Sequence, residues 1–244
     1  MTKNTDNRPV PARTAPVLFQ EETSSTNTEL KSRASSLPGG TVLWSLRQTA
    51  GRGRSGRSFL SPEGGLYYSM LLKFPAPEER LTAVTPLAAV AVARALKAVC
   101  GLGTQIKWPN DILCSGKKLC GILTESTVGA AGMQIIVGIG VNVNTPSFPG
   151  LPEGLACSVF TETGRRCDIA ALAARLTAEL DRAFAPLPET APEYLAEYRR
   201  LCCTLGRQVA GRGKALRIED DFSLVTQLPD GTENRVFFGE IFQE

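Results

Sequence analysis

The strongest periodic signal in the chain is a run that is apolar at nearly every position, "PLAAVAVARALKAVC", Pro86 to Cys100. Thr85 suits an N-cap, Pro86 the first helical position and Gly101 the stop, so the pattern predicts a helix buried against a sheet. Upstream, "TVLWSL" (Thr41 to Leu46) and "GLYYSMLLKF" (Gly65 to Phe74) read as strands. A short helix is expected from near Asn27, with Thr26 and Glu29 forming a capping box. Downstream, "CSGKK" turns a hairpin from about Ile112 to Glu125. "QIIVGIGVNVN" follows as a strand whose β-branched run is too continuous for a half-exposed face. Asp168 to Ala185 and Pro192 to Cys203 read as amphipathic helices. After Gly206 come short strands, "RQVAG", "ALRIE", "SLVTQL" and "RVFFGEIF", with "PDGT" as a hairpin turn.

These elements divide the chain into a loose N-terminal arm (1–20), a main domain (21–204) and a small all-β module (205–244). A module of about 40 residues is marginal on its own, so it is expected to dock on the main domain.

Composition narrows the chemistry. The 43% hydrophobic and 21% charged content of the 244 residues is that of an ordinary globular chain. No apolar run approaches a membrane span, and the first twenty residues hold no apolar signal core, so a cytoplasmic protein without membrane partners is expected. The seven cysteines include no C-x-x-C pair. They are expected to be reduced thiols that mostly fill core. Histidine is absent, which removes Ser-His-Asp and Cys-His hydrolases and every histidine general base.

The net charge of +3 is small, but its distribution is not even. Arg47, Arg52, Arg54 and Arg57 share eleven residues with Gly51, Gly53 and Gly56, and no Asp or Glu occurs from Leu30 to Pro62. The glycines spell G-x-G-x-x-G, yet the dinucleotide reading requires a following helix, and here the chain runs into a strand. A kinase loop is excluded because no H-R-D can exist without histidine. An RGG-like nucleic-acid segment would carry interleaved aromatics, which are missing. Bared backbone amides beside guanidiniums suit carboxylate and phosphate together, so the loop is read as closing over a small anion.

Four further blocks accompany it: "SSTN" (Ser24 to Asn27), "KWPND" (Lys107 to Asp111), "KKLCGIL" (Lys117 to Leu123) and "GIGVNVN" (Gly138 to Asn144). Together and in this order they resemble the biotin protein ligase family, whose pattern of S-T-N, Q-x-A-G-R-G-R-x-G-R, K-W-P-N-D, K-L-x-G-I-L and G-x-G-x-N is met from about Thr23 to Asn144. "GEIF" (Gly239 to Phe242) resembles the closing motif of the family's C-terminal SH3-like module. Two departures stand out: Ser55 replaces an arginine often found in the loop, and Phe59 replaces a tryptophan.

The resemblance implies an α+β fold, with a mixed β-sheet catalytic domain packed with helices and the SH3-like module behind it. It implies ATP-dependent formation of biotinyl-5′-AMP and transfer of biotin to a lysine of a biotin carboxyl carrier domain, such as that of acetyl-CoA carboxylase. Carried over by motif, Ser25, Thr26, Asn27 and Gln48 would hold the biotin head group. Arg52, Gly53 and Arg54 would form the loop over carboxylate and phosphate, and Lys118 would contact the reacting oxygens. Arg54 and Lys118 are thus the catalytic candidates. Lys107, Asn110, Asp111 and Asn142 would serve ATP, with Asp111 a contact for Mg²⁺. The N-terminus is too short for the winged helix of repressor members, so a ligase-only form without specific DNA binding is expected. Whether the chain forms a homodimer is left open. The competing readings are lipoate ligase, whose three consecutive glycines and histidine are missing here, and an anion- or RNA-binding module.

Overall fold

The computed structural model describes residues 13–75, 82–129, 132–185, 187 and 192–237. Seven strands form the main sheet: β1 (Val17–Thr23), β2 (Val42–Gln48), β3 (Gly65–Phe74), β4 (Gln105–Lys107), β5 (Asp111–Cys114), β6 (Lys117–Gly129) and β7 (Gly132–Asn142). Their order is β1-β2-β3-β7-β6-β5-β4, with β1 parallel to β2 and every other pair antiparallel. Helices α1 (Thr26–Ser32), α2 (Val84–Cys100), α3 (Val159–Thr163), α4 (Ile169–Phe184) and α5 (Pro192–Leu201) pack around it. The sheet is therefore mixed and the fold α+β.

Strand alternation sorts the two faces. Leu66, Tyr68, Met70 and Leu72 of β3, with Val137, Ile139 and Val141 of β7, join α2 and α4 in the main core. Leu71 and Ile136 point the other way, onto Leu30 and Ala34 beside α1. Both faces of β7 are covered, which is why its apolar run is continuous. Burying each large aliphatic side chain here contributes roughly 1.5–3 kcal/mol. Gly101 ends α2 in the left-handed conformation (φ 67°), its N–H bonded to Lys97 O at 3.2 Å. The β5–β6 turn is Ser115-Gly116, both at positive φ, as the "CSGKK" hairpin requires.

The smaller sheet holds β8 (Gln208–Val209), β9 (Gly213–Ile218), β10 (Leu224–Gln227) and β11 (Glu233–Val236), antiparallel in the order β11-β10-β9-β8. It docks through the Trp108 indole N–H, which donates to Phe222 O at 3.0 Å, and through the Arg199 guanidinium, which donates to Ile218 O at 2.9 and 2.6 Å. Tyr198 meets Phe222 edge to face at 5.5 Å. Ala215, Ile218, Phe222, Leu224 and Val236 belong to the same core as β3 and β7.

Three expectations need correction. Residues 17–20, assigned to a loose arm, begin β1, and Arg13 pairs with Asp181 of α4 at 2.5 Å. The first helix starts at Thr26, capped by Ser25, whose hydroxyl accepts from Thr28 N at 3.5 Å, because Thr26 is turned toward Gln48 and Ser69. The long helix starts at Val84, and Thr85 bonds Thr124 Oγ1 (2.8 Å) instead of capping. Pro86 still falls in the first turn, where its missing N–H costs no helical bond. The "GEIF" motif lies outside the described residues.

Candidate functional site

A cavity opens on the α1 side of the main sheet, where the end of β2, the arginine loop and the middles of β6 and β7 converge. Its floor is made by absent side chains. Gly121, Gly140 and Tyr67 form one register row across β6, β7 and β3, and Leu123, Gly138 and Ser69 form the next. A Cβ on Gly140 would lie 2.6 Å from the Phe59 ring, and one on Gly138 would lie 2.2 Å from Asn27 Oδ1. Glycine at these two strand positions is thus a matter of room. Phe59 lies over this floor, edge to face with Tyr67 at 6.5 Å, with Lys118 Nζ 5.9 Å from its ring centre.

The polar wall is a connected network. Gln48 Oε1 accepts from Thr26 N (2.9 Å) and Thr26 Oγ1 (3.2 Å), and Gln48 Nε2 donates to Ser61 Oγ (3.0 Å). The Ser61 hydroxyl donates to Phe59 O (2.9 Å), so the start of α1 is tied to the far arm of the arginine loop. Ser69 Oγ lies 2.8 Å from Thr26 Oγ1 and 2.6 Å from Asn27 Oδ1. Asn27 Nδ2 donates to Glu125 Oε2 at 2.9 Å.

The arginine loop folds back as a narrow hairpin. Arg52 bridges Ser58, Gly53 N donates to Arg57 O (2.7 Å), and Phe59 N donates to Gly51 O (2.9 Å). Ser55 and Gly56, both at positive φ, make its tip. One side is held by the Arg52–Glu125 ion pair at 3.5 Å. The other is held by Arg54 Nη1, which donates to Asn110 Oδ1 at 3.0 Å. Partial burial lowers the Arg54 pKa while nearby Asp111 raises it, the burial effect being larger; an arginine stays charged throughout. Lys118 Nζ pairs with Asp111 Oδ1 at 2.7 Å. Asn110 is fixed by its own Nδ2, which donates to Ile122 O at 2.9 Å.

Ser25, Thr26, Asn27, Gln48, Arg52, Gly53, Arg54, Asn110, Asp111 and Lys118 therefore all line one cavity. Lys107 and Asn142 do not. Lys107 is exposed on β4 opposite Asp111, and Asn142 is buried, donating to Cys157 O at 3.0 Å. Sequence reasoning missed Ser69 and Glu125. Ser69 was visible as the lone polar residue within "YYSMLL", but Glu125 carried no signal beyond its place at the end of "ILTE". Among the described residues no cluster of three or more metal-ligating side chains occurs, and no helix is long and apolar enough to cross a membrane.

Chemically, this is a pocket with an apolar glycine-and-aromatic floor, a head of hydroxyl and amide groups, and a mouth of four cations, Arg52, Arg54, Arg57 and Lys118, facing one carboxylate. It suits an amphiphilic ligand whose polar ring enters first and whose anionic end stays under the loop.

Comparisons with known proteins point the same way. The family described as "Biotin/lipoate A/B protein ligase family" matches residues 19–142. A biotin–[acetyl-CoA-carboxylase] ligase of Paracoccus denitrificans is 34% identical over 242 residues, covering 89% of this chain and 98% of that protein. The bifunctional ligase/repressor BirA of Bacillus spizizenii is 40% identical over 157 residues, 62% of this chain and 48% of that protein. The chain thus spans about half the length of that repressor-ligase. Among solved structures, the biotin protein ligase from Aquifex aeolicus in complex with biotin and ATP superposes with a TM-score of 0.80 at 29% identity, covering 92% of this chain and 96% of that one.

Proposed function

The chain belongs to the biotin/lipoate A/B protein ligase family, and on that footing we propose that it activates biotin with ATP and passes it to a lysine of a biotin carboxyl carrier domain. One observation carries the reading. Motif residues from five separate stretches line a single cavity whose polar head and cationic mouth match the two ends of biotin.

The head group is a cyclic urea, with one carbonyl acceptor and two N–H donors. Ser25, Thr26 and Asn27 would meet it, with Gln48 and Ser69 fixing their directions. Gly138 and Gly140 leave the floor low enough for the bicyclic ring, and Phe59 closes over it. The carboxylate would then lie beneath Arg52, Arg54 and Lys118.

Attack of that carboxylate on the α-phosphorus of ATP forms biotinyl-5′-AMP and expels pyrophosphate. No protein nucleophile is needed; the obstacle is the repulsion of two anions, which positioned cations relieve. Lys118 is the cation nearest to the task, but it is occupied by Asp111. Asp111 is also the carboxylate lining the cavity, and Mg²⁺ commonly binds one or two carboxylates plus substrate phosphates. Asp111 would hold the magnesium of a bound nucleotide, which would supply charge neutralisation at the phosphates, and Lys118, so released, would turn its ammonium to the reacting oxygens. Lys107, across the β4–β5 ladder from Asp111, and Asn142, two residues beyond Gly140, would serve the nucleotide outside the present cavity. In the second half-reaction the carrier's lysine amine attacks the acyl carbon and AMP leaves.

Exchange of labelled pyrophosphate into ATP tests the reading. Exchange is expected with biotin and Mg²⁺, and not with lipoate. Equal exchange with lipoate would move the chain to the other branch of its family, and none with either would end the assignment. The same reading gives a cytoplasmic enzyme whose DNA binding is weak, non-specific and lost as salt rises.

A further inference from the structure

Away from the cavity, the last residue of α2 meets the residue that precedes the cap of α4. Cys100 Sγ and Cys167 Sγ lie 2.8 Å apart across a separation of 67 residues. Both are partly exposed, whereas Cys114, Cys120, Cys157 and Cys202 are buried. Three of those buried thiols point at carbonyls: Cys114 at Gly103 O, Cys120 at Gly121 O and Cys157 at Lys117 O. Cys203 is partly exposed but is the immediate neighbour of Cys202. Cys100 and Cys167 therefore combine proximity with access.

The backbone around them is already held. Asn144, just past β7, clamps Cys167 with both ends of its amide: Cys167 N donates to its Oδ1 and its Nδ2 donates to Cys167 O, each at 2.9 Å. Asp168 caps α4, accepting from Ala171 N at 3.0 Å. Cys100 sits in the last turn of α2, fixed by the Gly101 stop. The two sulfurs already lie within contact of each other on segments held in this way. Reaching the ~2.05 Å of a disulfide requires a sulfur shift of under about 1 Å.

We infer that Cys100 and Cys167 are a dithiol modification site, closed to a disulfide by a low-molecular-weight disulfide such as oxidised glutathione. The Cys167 thiolate attacks one sulfur of the small disulfide, forming a mixed disulfide and expelling one thiolate. Cys100 then attacks Cys167 Sγ, the protein S–S bond forms, and the second small thiolate leaves. The two protons given up by the protein thiols end on the two released thiols, so two electrons pass from protein to oxidant. Burial, with the adjacent sulfur, holds the Cys100 thiol far above its ordinary range, which makes it the second sulfur to react. The bridge would fasten α2 to α4 and, through Asn144, to the end of β7.

The test uses the full chain, reduced and then equilibrated with oxidised glutathione. Trypsin places the two thiols in separate peptides that hold no other cysteine, residues 98–107 and 167–175. The expected result is a linked peptide of these two, a loss of two of the seven titratable thiols, and a Tm rise of about 5 °C or more that a reductant reverses. Cys100→Ser should abolish the link and the rise, and Cys114→Ser should leave both. The wild-type peptide map needs no variant to fold and decides by itself. Seven free thiols after treatment, or glutathione adducts and links on other cysteines, would overturn the inference.

Discussion

Arg54 Nη1 donates to Asn110 Oδ1 at 3.0 Å, joining the arginine loop to the turn between β4 and β5. Asn110 is itself anchored on Ile122 O of β6, so the turn that receives the loop is tied to the sheet. The latch sits where the acyl-adenylate would be enclosed.

Arg54→Gly should therefore release the intermediate more than it prevents its formation. The change removes the latch and adds backbone freedom at a loop that already contains Gly53 and Gly56. With biotin, ATP and an unrelated lysine-rich protein, the variant should label the bystander more heavily than the wild type on a biotin blot. An active variant that labels no more than wild type would mean that the loop does not retain the adenylate.

Lys118→Ala should slow adenylate formation about ten- to a hundredfold, the equivalent of roughly 1.5–3 kcal/mol for a charge-assisted contact. Its ion pair with Asp111 is partly exposed, with side chains 36% and 24% accessible, so little stability should go with it. Single-turnover rates beside a thermal melt separate the two effects. A fall in Tm with an unchanged rate would make Lys118 structural.

Gly140→Ala should destabilise the fold by about 1–3 kcal/mol, because the new methyl group meets the Phe59 ring at 2.6 Å. It should also weaken biotin binding by raising the floor. Adding Phe59→Ala should restore much of the lost Tm, since the clash disappears, but not the affinity. If the double variant melts no higher than Gly140→Ala alone, the ring is not what the glycine accommodates.

Glu125→Ala should raise the KM for biotin about tenfold while changing kcat little. It removes the nearer of the two acceptors of Asn27 Nδ2, leaving Leu123 O at 3.4 Å, and takes from Arg52 its ion pair, so both the head contact and one side of the loop lose direction. Glu125→Gln keeps an acceptor for Asn27 and should fall between. Steady-state kinetics in biotin would expose the opposite case, a kcat loss at constant KM.

The sequence pattern foretold elements that carry their own punctuation. The helix ending at Gly101 and the Ser115-Gly116 hairpin are marked by residues whose backbone preferences act locally. Strand β1 was not legible, because "VLFQEET" lies at the sheet edge with no buried residue, and its apolar V-L-F is followed by polar Q-E-E-T instead of alternating with it. The site divided in the same way. Residues within contiguous blocks were named in advance, whereas Ser69 and Glu125 act through partners more than forty residues away. Such partnerships are created by register, which only the folded sheet reveals. Lys107 and Asn142 show the converse, block members that do not line the cavity.

Trp108 occupies the centre of the Lys-Trp-Pro-Asn-Asp block, yet its indole N–H is spent on Phe222 of the second sheet. Cutting the chain near Gly206 would strand that donor and the Arg199 guanidinium, and would wet the apolar surface that Ile218 and Phe222 cover. The C-terminal sheet thus works as a keystone under the turn that carries Asn110 and Asp111. The whole molecule should melt in one transition, and a fragment ending before β8 should be an unfolding variant, not a smaller enzyme.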